Sequence, residues 1–94
     1  MGFNELQQQV KEFDARFGWT CDKPENTLIH MMEELGEVSS HILHAVGYRK
    51  SPPSKDTVAD EIADLLYLTL KLSNLLGVDL DEAWGRVEKR YSKK

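Results

Sequence analysis

Cysteine and long apolar runs are both scarce in this chain, and each scarcity removes a class of protein. The single cysteine, Cys21, cannot form an internal disulfide, so a disulfide-stapled scaffold is excluded and a reducing compartment suits the chain. No motif around Cys21 makes it a nucleophile, and we read it as an inert thiol. No apolar run approaches the roughly 18 residues of a membrane-spanning helix. The amino terminus alternates polar and apolar residues and lacks the apolar block of a signal peptide, so a cytoplasmic, soluble protein is expected, with no membrane partner. Basic excess is missing too. With 12 Lys and Arg against 16 Asp and Glu, the net charge of -4 offers no general attraction for a nucleic-acid polymer or an anionic membrane. A phosphate-bearing ligand then needs local cations or a bridging metal. Internal repeats and low-complexity tracts are absent, and no composition shift marks a second domain.

What remains is an ordinary globular balance of 40% apolar and 30% charged residues over 94 positions, enough for a single domain spanning residues 1–94. A chain of this length buries about 60–65% of its unfolded surface and gains from association. Its apolar residues recur at helical spacing throughout. Phe3, Leu6, Val10, Phe13 and Phe17 form one stripe, with Asn4 as a candidate cap and Gly18 as the stop. After a loop around Trp19 to Pro24, a second helix starts within a turn of Asn26, capped by Asp22 or Asn26, and runs to about Val46. Gly47 and the basic, proline-bearing stretch Tyr48-Arg49-Lys50-Ser51-Pro52-Pro53 end it. A third helix runs from near Ser54 to about Leu76, stopped by Gly77. The fourth follows Val78, with Asp79 and Glu82 in capping-box spacing and Leu80, Ala83, Trp84 and Val87 as its apolar side. Its basic residues Arg86, Lys89, Arg90, Lys93 and Lys94 gather at the end where the helix dipole favours cations. Four such helices with short connections predict an all-α, four-helix bundle-like architecture.

Two of these helices carry an acidic pattern. On the second, Glu33, Glu34 and Glu37 share an arc of about 100° with His30, His41 and His44, while Leu28, Met31, Met32, Leu35, Val38, Ile42, Leu43, Ala45 and Val46 fill the other side. Carboxylates this close repel by a few tenths of a kcal/mol per pair at a surface, which a cation would relieve. On the third helix the apolar stripe Val58, Leu65, Leu68, Leu72, Leu75 and Leu76 is interrupted by Glu61 in its middle. A lone carboxylate on a buried face costs several kcal/mol unless it is paired, protonated or bound to a metal. Asp64 lies one turn on at the edge of that face, with Asp60 and Lys71 further round towards solvent. If the two helices are antiparallel neighbours, Glu34, Glu37, Glu61 and Asp64 converge between them, and four hard oxygen donors suit Mg²⁺ or Mn²⁺ better than zinc.

The pattern Glu33-Glu34-x-x-Glu37, then 23 residues, then Glu61-x-x-Asp64 resembles the signature of the MazG-like, all-α nucleotide pyrophosphohydrolases. The likeness extends from Pro24-Glu25-Asn26 to Asp79-Leu80-Asp81-Glu82-Ala83. It implies an oligomeric enzyme, commonly a dimer or tetramer, that uses Mg²⁺ to cleave nucleoside triphosphates between the α and β phosphates. Position by position, it makes Glu34, Glu37, Glu61 and Asp64 metal ligands, with Glu33 beside them orienting water. Many relatives carry a Lys and an Asn on the fourth helix to hold phosphates. An ungapped match places Val87 and Tyr91 there, leaving Lys89, Arg90 or Arg86 as substitutes. Trp19, near helix one, is a candidate base-stacking residue, with Asn26 as a second substrate contact.

Each feature also has a plainer reading. The acidic stripe alone is equally a solvated face, the histidines are surface groups or neighbours of the ligands, and Trp19 is equally a plug on the core. Trp84 and Tyr67 are expected in the core or a subunit contact. The Arg49-Lys50 and Lys55 cluster reads equally as a triphosphate contact or a solvated loop. A histidine at i+3 from Glu37, as di-iron bundles have, is replaced by Ser40. Two further function classes stand beside the enzyme: a non-catalytic helical module that senses nucleotides or dimerises around an acidic groove, and a transition-metal protein using His and Glu.

Overall fold

The third helix organises the molecule. The computed structural model describes residues 2–45 and 55–92, as four helices: α1 (Phe3–Phe17), α2 (Pro24–Ala45), α3 (Lys55–Leu76) and α4 (Leu80–Ser92). No strand occurs among the described residues. The expectations that fall on Val46 to Ser54, including the Arg49-Lys50 loop, and on Lys93 and Lys94 lie outside the described residues, as do the side chains of His44, Ala45 and Lys55. α3 packs along α2 on one side and α1 on another, and α4 packs on α1. Contact between His41, late in α2, and Glu61, early in α3, makes that pair antiparallel. Among the described residues, no helix is long and apolar enough to cross a membrane.

Because α3 is covered from two directions, its buried side chains do not form one stripe. Leu68 and Leu70, each 3% exposed, point to different sides of the helix. The stripe read from the sequence holds at Leu68 but fails at Leu76, which is largely exposed at the helix end. Lys71, expected towards solvent, is buried at 7% exposure, because the segment between α1 and α2 folds over it and Asp22 pairs with it at 2.5 Å. Periodicity within α3 carries no information about that segment.

Helix ends follow local chemistry where the partner is near in sequence. Gly18 and Gly77 adopt left-handed backbone angles, φ 74° and 68°, which a side chain would strain, and both terminate helices. Asp79 caps α4, its Oδ1 accepting from the Glu82 N–H at 3.1 Å and from the Asn4 side chain at 3.0 Å. These bonds hold the Asp79 carboxyl below its usual range. Glu82 does not return the capping box and instead pairs with Arg86 at 2.9 Å.

Two expected caps are corrected. α2 begins with Pro24 at its first position, and the Lys23 carbonyl accepts from the N–H groups of Asn26 and Thr27. Neither Asp22 nor Asn26 is the cap, and Asp22 is committed to Lys71. At α1 the cap position is Gly2 and Asn4 lies inside the helix. Its free N–H groups are satisfied from the far end of the chain: Asp81 accepts from Phe3 N–H at 2.7 Å and Asn4 N–H at 3.2 Å. Buried Gln7 completes this junction, donating to the Val78 carbonyl at 2.7 Å and accepting from the Leu80 N–H at 3.2 Å. Asp81→Ala removes both cap bonds, so we expect a loss of about 1 kcal/mol and a fall in melting temperature of about 4–8 °C, read by thermal unfolding under circular dichroism.

Candidate active site

Glu34, Glu37 and Glu61 come together along the seam between α2 and α3. Glu37 and Glu34 sit one turn apart on the same face of α2, and Glu61 reaches them from α3. The pKa of Glu37 is raised above the ordinary 4.5, first by repulsion from Glu34, then by desolvation and by the charge and proximity of Glu61, with Glu33 adding to it. The Glu34 and Glu61 side chains are only 13% and 14% exposed. One oxygen of each, Oε2, is buried without a hydrogen bond. Glu61, the residue that interrupts its apolar stripe, therefore finds its neighbours in the acidic face of α2. Glu33 is exposed beside them.

Histidines flank these carboxylates on both sides. His30 Nε2 lies 3.4 Å from Glu34 Oε1, one turn before it on α2. His41 Nδ1 lies 2.8 Å from Glu61 Oε2, within ion-pair reach when the ring is protonated but out of line for a hydrogen bond, so neither atom has one. Shared placement on the acidic arc of α2 was the sequence signal for both.

Asp64 stands at the edge of the seam, on the side of α3 that faces the α1 groove. Three residues past Glu61, it is rotated about 60° towards α1, and it lines a groove of about 830 Å³ between α1 and α3. Phe13, Trp19 and Tyr67 form the aromatic part of that groove, with Gln9, Glu12 and Arg16 from α1 among its polar groups. Phe17 stacks on Trp19 at 4.8 Å between centroids, and Phe13 meets the Trp19 and Tyr67 rings edge-on at 6.0 and 5.7 Å. Tyr67 donates its hydroxyl to the buried Asp14 at 2.5 Å. Burial, and then that bond, push the phenol well above its usual range. Trp19 and Asp64 thus share one groove. Tyr67, expected in the core or a subunit contact, is half-buried and lines this groove, whereas Trp84 stands half exposed on α4, edge-on to Phe3 at 6.0 Å.

The other substrate candidates lie elsewhere. Asn26 is exposed in the first turn of α2. Lys89 and Arg90 line a separate groove on α4 with Ala83, Arg86 and Val87. Asp14, buried under the Tyr67 hydroxyl, lies beside Val10 on the α1 wheel, and that place is its signal in the sequence.

Among the described residues no three of these groups surround one point at metal-ligating distance. In chemistry the seam nevertheless fits a hard divalent cation. Its donors are carboxylate oxygens, two of them buried without a hydrogen bond, and neighbouring negative charge raises the pKa of Glu37.

Comparison with known proteins agrees with this fold. Residues 4–91 match the family described as phosphoribosyl-ATP pyrophosphohydrolase. The uncharacterized protein YpjD of Bacillus subtilis is 27% identical over 90 residues, covering 94% of this chain and 81% of that protein. A crystal structure of the same relative, described as the putative pyrophosphatase YpjD, superposes with a TM-score of 0.79 at 26% identity, covering 97% of this chain and 93% of that one. Crystalline iMazG from Vibrio DAT 722 is 31% identical with a TM-score of 0.68, and each chain is covered in full.

Repulsion at Glu37 predicts a measurable stability effect. Its raised pKa means that the ionised form is disfavoured in the fold, so the penalty is absent where the carboxyl is neutral and grows as pH rises through the raised value. In protein stripped of metal, Glu37→Gln is expected to melt at a higher temperature than the native chain at pH 7. The gap should close towards about pH 4. Equal melting temperatures at pH 7 would show that the seam carries no such strain.

Proposed function

Because the chain belongs to the phosphoribosyl-ATP pyrophosphohydrolase family and has a MazG-type all-α fold, we propose that it is a Mg²⁺-dependent nucleotide pyrophosphohydrolase. It cleaves a nucleoside triphosphate, or a deoxy or damaged one, between the α and β phosphates, giving monophosphate and pyrophosphate. The observation that carries this reading is Glu61, a carboxylate on an otherwise apolar face that meets Glu37 and keeps a buried oxygen without a hydrogen bond. Glu34, Glu37 and Glu61 are the metal ligands of the seam, with Asp64 joining from the groove side, and Mg²⁺ or Mn²⁺ supplies neutralisation of phosphate oxygens and a more acidic water. Glu33 orients water from its exposed position next to Glu34. The groove shared by Asp64 and Trp19 receives the nucleoside, its aromatic side chains suiting a flat base. No side chain is required as a covalent nucleophile.

We further propose a homodimer or homotetramer. Leu28, Ile29, Met32, Leu35 and Ile42 of α2 are half or more exposed in one chain, a larger apolar face than an isolated soluble helix bundle keeps in water. A second copy covers it. Sedimentation is expected to give a species of at least twice the chain mass at micromolar concentration, and a monomer there would contradict this assignment.

A non-catalytic nucleotide-sensing module is the second reading. Val87 and Tyr91 stand where many relatives have phosphate-holding Lys and Asn, while the intact acidic pairs favour the enzyme. Pyrophosphate release over a panel of standard and modified nucleotides, with phosphoribosyl-ATP included, decides between them. Turnover that requires Mg²⁺ supports the enzyme. Calorimetric binding of a non-hydrolysable nucleotide with no turnover of any member supports the sensor. Glu61→Gln is expected to lower the rate at least 100-fold, roughly the upper loss seen for a mere neighbour of a ligand, with helical content unchanged.

A further inference from the structure

Asp14 and Lys71 are the charged side chains that the fold buries among the described residues, and both stand behind the aromatic groove. Asp14 holds Tyr67 from α1. Lys71 has a different set of neighbours. Its Nζ lies 2.5 Å from Asp22 Oδ2, 5.4 Å from the Trp19 ring centre and 5.9 Å from that of Tyr67. A buried ammonium is costly unless it is paired, and here one carboxylate and two aromatic faces receive it. Asp22 and Trp19 both belong to the short segment joining α1 to α2. The ion pair therefore pins that segment, and with it the indole, against α3.

Trp19 has other ties, and they leave this role open. Its backbone N–H donates to the Asp14 carbonyl at 2.8 Å, which fixes where the residue starts but not how the ring is turned. Phe17 covers one side of the ring by stacking. Lys71 and the edge of Phe13 set the remainder. Along α3, Lys71 lies seven residues beyond Asp64, about 10 Å on the same side of the helix. That distance separates it from the carboxylate seam and leaves it behind the groove wall, where Trp19 and Tyr67 meet it.

We propose that Lys71, paired with Asp22, is a positioning residue for nucleotide binding: it fixes the Trp19 indole as a wall of the groove that Asp64 shares. The proposal rests on the nucleotide-hydrolase reading above. The pair sets affinity for the nucleoside end of the substrate and leaves the bond-breaking step at the seam unchanged. A lysine that served the fold alone would lower the melting temperature without shifting substrate affinity.

The test uses the full chain in a Trp84→Phe background, so that Trp19 alone reports fluorescence; Trp84 lies on α4, outside the groove. Lys71→Met, Lys71→Arg and Asp22→Asn are compared with that reference. In Lys71→Met and Asp22→Asn, acrylamide quenching of Trp19 is expected to rise. KM should rise about tenfold, the scale of one desolvated cation–π contact, with kcat within about twofold. Lys71→Arg keeps a cation over the indole, so its KM should return to within about threefold of the reference. Asp22 is 43% exposed, so its variant keeps the test intact if Lys71→Met does not fold. Unchanged KM and quenching in a folded variant overturns the proposal, and so does a fall in kcat at constant KM. If the reference protein turns over no nucleotide, the hydrolase reading fails by itself. The pair is then judged by Trp19 quenching, where a rise upholds its positioning of the ring and no change refutes it.

Discussion

Glu34, Glu37 and Glu61 repel one another across the α2–α3 seam, and the packing of the two helices holds them together against that repulsion. The cost shows in the raised pKa of Glu37 and in two buried oxygens that no hydrogen bond satisfies. Flanking imidazoles of His30 and His41 approach without completing the compensation, since the His41 contact lacks hydrogen-bond geometry. An arrangement of like charges that stays unsatisfied in the free protein is ready for a ligand of opposite charge. Stability is given up locally where a site needs charge held in place.

α3 links this seam to everything else. Glu61 faces α2, Asp64 and Tyr67 line the aromatic groove on the α1 side, and Lys71 lies behind it against the Trp19 ring. One rigid helix therefore carries both the carboxylate that meets α2 and side chains of the aromatic groove, at a spacing fixed by 1.5 Å per residue. The Gln7 and Asp81 junction steadies the other side of α1, whose Val10 and Phe13 line the groove. The apolar face of α2 is left exposed in a single chain, so core burial alone does not account for that helix.

Much of this was legible in the sequence because its causes are local. Glycine at 18 and 77 and proline at 24 punctuate the helices wherever the rest of the chain goes, and the helix bounds follow. Glu61 was legible for a related reason: a carboxylate in the middle of an apolar stripe declares that a partner must exist, and the acidic arc of α2 was available to supply it. The misread positions all depend on distant segments. Asp81 caps a helix that begins 78 residues earlier. Lys71 is buried by a loop that the α3 wheel does not contain. Periodicity states that a face is covered but not by what.

The central claim is that the α2–α3 seam holds a divalent cation through Glu61 and its neighbours. Titration with Mn²⁺ followed by electron paramagnetic resonance tests it without assuming any substrate. The account predicts saturable Mn²⁺ binding by the native chain that Glu61→Gln abolishes while the helices remain folded. Equal Mn²⁺ binding by the two proteins, or none by the native chain, would contradict it.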